Sequence, residues 1–193
     1  MKSLNPILFA SYKQAKAYPP DEFGARWNEV GAEQAEQFKS EIGSDLPADY
    51  LEFVENFGEF TIWTDDFEKL YARAIWESGK SANVEISKIL GPAGMLESWQ
   101  SYLGAGGRAR IPENLAPLTY DSGYGHAMLD LSKDNFGKIR YLQVKTKPFG
   151  SDGYGWDQVE TIAGSFTEFV SQINSKRGLT KALGAPKKAW LWA

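Results

Sequence analysis

Few residues of this chain have the types and spacing that chemistry needs. His126 is the sole histidine, within Gly123-Tyr124-Gly125-His126, and there is no cysteine. Zinc centres gather several His or Cys ligands, so none is expected here. No Gly-x-Ser-x-Gly elbow presents a serine nucleophile, and His126 reads as a structural histidine at a strand edge. Gly79-Lys80-Ser81 ends a run from Ala74 in the manner of a phosphate-binding loop. Such a loop follows a strand, precedes a helix and closes on phosphate through small residues. Here a helix is expected before it, Ala74 replaces the first glycine, and Trp76 and Glu77 obstruct and repel. An exposed helix end is the expectation. Residues 104–108 with Arg110 have the backbone and guanidinium groups to hold an anion, although a flexible connection accounts for them better. Asp121, Asp130 and Asp134 lack calcium-loop spacing, and turn chemistry explains Asp121 and Asp134. Trp63, Trp76, Trp99 and Trp156 read as core or interface anchors. Together these readings predict no catalytic residue, no metal and no cofactor: a protein that is not an enzyme.

Charge says more. The formal net charge is −4, yet residues 21–68 hold fourteen Asp or Glu against only Arg26 and Lys39. After Glu168 no acid occurs, and Lys176, Arg177, Lys181, Lys187 and Lys188 follow. An acidic lobe repels nucleic-acid phosphates and attracts basic partners; equally, such carboxylates can simply solvate helix faces. The missing cysteines exclude disulfides and fit a cytoplasmic protein. No apolar run approaches the roughly 20 residues of a membrane span. The short N-terminal apolar patch, broken by Pro6, does not read as a signal peptide.

The elements that must position these groups follow from periodicity. In residues 46–60, LPADYLEFVENFGEF, Pro47 and Asp49 suit a first helical turn. Leu51, Val54 and Phe57, flanked by Tyr50 and Phe53, predict a core-facing stripe, and Asp49, Glu52 and Glu55 an acidic edge beside it. Gly58 suits a left-handed stop, and residues 59–64 alternate as a strand does. Upstream, residues 1–30 read as an extension packed on the domain through Phe9, Tyr12, Phe23 and Trp27. Ala32, Ala35, Phe38 and Ile42 predict a helix over 31–42. Downstream, Asp65 and Asp66 are expected to open a helix whose apolar face is Leu70, Tyr71, Ala74 and Ile75. Met95, Leu96, Trp99, Tyr102 and Leu103 predict another. From Ile111 the period becomes two, and segments at 115–120, 126–131 and 138–144 are separated by Asp/Asn/Gly turns, which predicts an antiparallel meander. Ser165 and Glu168 have capping-box spacing ahead of a helix burying Phe166, Phe169, Val170 and Ile173. Residues 176–193 read as a basic, tryptophan-containing tail. Because strands cluster instead of alternating with helices, the expected class is α+β: one domain, a mostly antiparallel twisted sheet flanked by helices.

The Leu46-Pro47 helix entry, its Asn56-Phe57-Gly58 exit and the strand after it resemble the SUKH superfamily. That superfamily includes the Smi/Knr-type cell-wall regulators and many bacterial immunity proteins. One residue is inserted before Gly58 relative to the Asn-Gly of that pattern. Ile111-Pro112 with Leu115-Ala116-Pro117-Leu118, then Leu129-Asp130-Leu131 with Gly137-Lys138-Ile139, and finally Ala163 with Ser165-Phe166 follow in the family's order. The resemblance spans residues 31–175. It implies a non-catalytic, protein-binding domain, commonly one that neutralises a cognate bacterial toxin; many such toxins are nucleases with basic clefts. Charge and resemblance together place the partner contact on Asp49, Glu52, Glu55, Glu59, Asp65 and Asp66, with Trp63 as an aromatic anchor. The alternative is an intracellular scaffold of the Smi/Knr type. Neither nucleic acid nor membrane is an expected partner of the main domain.

Overall fold

The 46–60 stretch folds largely as its spacing predicts in the computed structural model, which describes residues 1–17, 32–62, 69–75, 79, 81–103, 110–120, 125–143 and 153–182. Three helices come first: α1 (Pro6–Ala15), α2 (Ala32–Ile42) and α3 (Ala48–Phe57). In α1 the Asn5 side chain accepts from the Leu8 amide at 2.9 Å, and Pro6 takes a first-turn position where its missing N–H costs nothing. In α3 the buried stripe is Tyr50, Phe53 and Val54, while Leu51 and Phe57 are half-buried beside it. Gly58 ends the helix with φ +70°, a backbone that side-chain-bearing residues rarely adopt.

Short strand β1 (Phe60–Thr61) leads on to β2 (Leu70–Ile75), β3 (Ser81–Ile86) and β4 (Lys88–Ile89), followed by α4 (Pro92–Ser101). Here an expectation fails. Residues 70–75 form a strand, not a helical face. Leu70, Ala72 and Ala74 point inward with period two, and every residue from Leu70 to Ile75 pairs antiparallel with β3. Gly79 therefore lies between two paired strands, so a strand follows Lys80 where a phosphate loop requires a helix.

The predicted meander is present as β5 (Leu115–Pro117), β7 (Gly125–Asp130) and β8 (Ile139–Gln143), continued by β9 (Val159–Ala163), while β6 (Thr119–Tyr120) leaves it to pair with β4. Helix α5 (Phe166–Gln172) carries the predicted cap: Ser165 Oγ accepts from the Glu168 amide at 3.1 Å, and Glu168 Oε2 reaches back to the Gly164 amide at 2.7 Å. Asn174–Ser175 is a strand (β10) on β2, and α6 (Lys176–Ala182) buries Leu179.

The pairings make a mainly antiparallel seven-stranded sheet, β10-β2-β9-β8-β7-β5 with β3 along β2, and a small sheet, β1-β4-β6. The chain crosses between the sheets at Ser87 and at Leu118, and the Ser87 amide bonds to the Tyr120 carbonyl across the join. One α+β body results. Its core joins α3 and α5 through Tyr50, Phe53 and Phe166, whose rings meet edge-on at 5.0–5.3 Å. Tyr12 of α1 packs its ring on Phe57 and Phe60, so α1 is built into this core; Phe23 and Trp27, expected to help, lie outside the described residues. No helix among the described residues is long and apolar enough to cross a membrane.

Candidate functional site

The expected partner-binding residues divide by what each carboxylate meets. Asp49, in the first turn of α3, is half-buried. Its Oδ2 accepts from the Thr167 amide at 2.9 Å and the Thr167 hydroxyl at 3.1 Å. Thr167 is in the first turn of α5, whose amide groups have no partner within the helix. Asp49 thus caps a helix 118 residues away and ties α3 to α5.

Glu59 is drawn further inside, with only 3% of its surface exposed. Oε1 pairs with Lys88 Nζ at 2.5 Å, and Oε2 accepts from the Gly91 amide at 2.9 Å, at the N-terminus of α4. The carboxylate packs so closely on Gly94 that any Cβ there would strike it. This corrects the expectation that Glu59 belongs to an outward acidic edge. The cause is the positive end of α4, which together with Lys88 offsets the cost of burying a charge. Tyr50 sits nearby, fully buried, and its hydroxyl donates to the Leu90 carbonyl at 2.7 Å. Burial, and secondarily the Glu59 charge, hold the Tyr50 phenol well above its ordinary pKa.

Glu52 and Glu55, by contrast, are exposed on the outer side of α3. Among the described residues no cation pairs with Asp49, Glu52 or Glu55. Lys39 does not reach them either. It bonds to Asp45 at 2.7 Å, and that hydrogen bond, aided by the Asp45 charge, raises its pKa. Trp63, Asp65 and Asp66 lie outside the described residues.

The remaining chemical candidates differ in what they meet. Asp130 is fully buried and pairs with Arg140 Nε at 2.8 Å while accepting from the Ser132 amide and hydroxyl. Arg140 also donates to Thr161 across the sheet. His126 is half-buried between the rings of Tyr102 and Tyr120, at 5.8 and 6.5 Å, with Nδ1 buried and unbonded. Among the described residues no three His, Asp or Glu side chains converge as metal ligands would. Residues 104–108 and Asp121 lie outside the described residues. Trp99 is half-buried against the core, and Trp156 is 49% exposed.

Among the described residues, two concave places were missed by sequence reasoning. One, of about 280 Å³, lies over the Glu59–Lys88 pair, between Gly94, Ser98 and Ser101 of α4 and the exposed Tyr120. The Gly94/Ser98/Ser101 spacing marks a small-residue face on α4, but nothing in the sequence sets Tyr120 opposite it. The other, of about 190 Å³, lies where the N-terminal turn meets α3 and α5, beside Asp49 and Glu52.

A family model described as SUKH_6: SMI1-KNR4 cell-wall matches residues 32–170. The match begins at the first residue of α2 and ends inside α5, so α1, β10 and α6 lie outside it. No curated protein matches the chain.

Proposed function

Because the chain belongs to the SUKH_6 (SMI1-KNR4 cell-wall) family, whose domains are commonly immunity proteins and generally non-catalytic, we propose that it binds and neutralises a cognate bacterial toxin. The partner surface is the outer flank of α3, and the toxin face that meets it is basic, as in a nuclease cleft. One observation carries this reading: Glu52 and Glu55 project from one helix flank with no described cation to neutralise them. Carboxylates so placed leave a local negative field that steers a cationic partner. Asp49 adds charge at the inner margin of that flank, and Trp63, Asp65 and Asp66 are proposed as further partner contacts.

The test is a search of the neighbouring genes for a toxin domain, followed by stopped-flow association of such a domain with this protein. Glu52→Gln with Glu55→Gln is expected to slow association about tenfold at low salt and to flatten its salt dependence. An unchanged rate and salt slope would place the contact elsewhere. The family description also names cell-wall proteins, which favours a scaffold of the Smi/Knr type as the second reading. A stable partner other than a toxin, with no toxin gene adjacent, would select it.

A further inference from the structure

The smaller of the two concavities adjoins the acidic flank and has a build that the flank itself lacks. Phe53, Phe166 and Val170 form its floor, and each is almost wholly buried. Met1 and Leu4, the latter 38% exposed, make one wall, while Asp49 and Glu52 stand on the rim. Asn5 holds the Leu4 wall in place. Its buried Nδ2 donates to the Val170 carbonyl at 2.6 Å and the Ile173 carbonyl at 2.8 Å, fixing the N-terminal turn to the end of α5. The groove is therefore preformed by residues some 165 positions apart in sequence.

Size and chemistry select the occupant. About 190 Å³ is below the roughly 300–1,000 Å³ of sites for cofactors and drug-sized ligands. It suits one long side chain. An apolar floor beneath a carboxylate rim matches an apolar stem carrying a cation at its tip. Guanidinium also stacks on aromatic rings and pairs with carboxylates in a planar fork, which ammonium does not. The Thr167 amide, the local positive end of α5, is already met by Asp49, so it does not repel a cation.

We propose that this groove receives an arginine side chain from the basic face of the protein partner. Its stem lies on Leu4 and Phe53, and its guanidinium meets Glu52, with the Asp49 charge adding to the attraction. The proposal rests on the acidic flank of α3 being the binding surface, and it names the anchor point on that surface.

Amide NMR of the full chain tests it with N-acetyl-arginine methylamide as the probe and the citrulline analogue as its neutral counterpart. Saturable shifts at Leu4, Glu52, Phe53 and Thr167 are expected with arginine and not with citrulline. Glu52→Gln, and separately the exposed Leu4→Ser, should each weaken the arginine response at least about threefold. Equal responses to the two probes, or none at these amides, would overturn the proposal. A hexalysine peptide separates this failure from failure of the flank. Salt-sensitive shifts at Glu52 and Glu55 with Leu4 and Phe53 unmoved by either cationic probe retain the flank and reject the groove. Silence along all of α3 rejects both.

Discussion

Asp49 and Glu59 lie on either side of Glu52 and Glu55 in one short acidic stretch, yet the two pairs are used in opposite ways. The outer pair in sequence is the inner pair in space. Each of its carboxylates meets the open amide end of another helix, Asp49 at α5 and Glu59 at α4. The middle pair meets nothing charged among the described residues. A carboxylate that finds a helix N-terminus becomes part of the fold; one that does not keeps its field for a partner. The same residue type, within ten positions, therefore divides between stability and recognition.

The strongest way to break this comparison is at Glu59. Glu59→Ala removes the carboxylate that Lys88 and the Gly91 amide share and is expected to cost about 3 kcal/mol in urea unfolding. A loss no larger than that of a surface substitution would mean that the buried carboxylate does not hold α4. Asp49→Ala should cost about 1–2 kcal/mol, the usual value of a helix cap, read in the same way. Tyr50→Phe loses the bond to the Leu90 carbonyl, about 1 kcal/mol at neutral pH.

Tyr50 also sharpens the comparison by pH. Its folded pKa lies above its unfolded value, so its contribution is whole below about pH 10 and is lost as the pH climbs from there toward the raised value. Unfolding curves of the parent and Tyr50→Phe between pH 8 and 11 should converge as the pH rises; parallel curves would contradict the raised pKa. The smallest effect on stability belongs to Glu52→Gln and Glu55→Gln, within about 0.5 kcal/mol, even as they slow partner association. A large stability loss there would make these residues structural after all.

The parts of the fold legible in the sequence are those whose signals are local. Ser165 and Glu168 cap a helix through contacts three and four residues apart, and Phe166, Phe169, Val170 and Ile173 are buried as their spacing predicts. Gly58 marks its helix end, and the turn over residues 133–137 separates β7 from β8. Residues 70–75 show the opposite case. Leu70, Tyr71, Ala74 and Ile75 fit a helical face, while Leu70, Ala72 and Ala74 fit a strand face, and alanine suits helix well enough to mislead. Pairing with β3 decided between them. The candidate site was half legible. Glu52 and Glu55 fall where the periodicity sets them, but Glu59 alternates in sequence like its neighbours and gives no sign of the Gly91 amide 32 residues on.

What the sequence determined by itself was the class of the protein: clustered strands and capped helices for an α+β body, with few groups suited to catalysis and a concentration of acids in one quarter of the chain. Tertiary structure alone decided which acids face outward and where the groove beside them forms. The reason is range. Caps, turns and periodicity act over three or four residues, whereas Asp49 reaches Thr167 and Asn5 reaches Val170 across most of the chain, contacts that exist only once the sheet has brought those segments together.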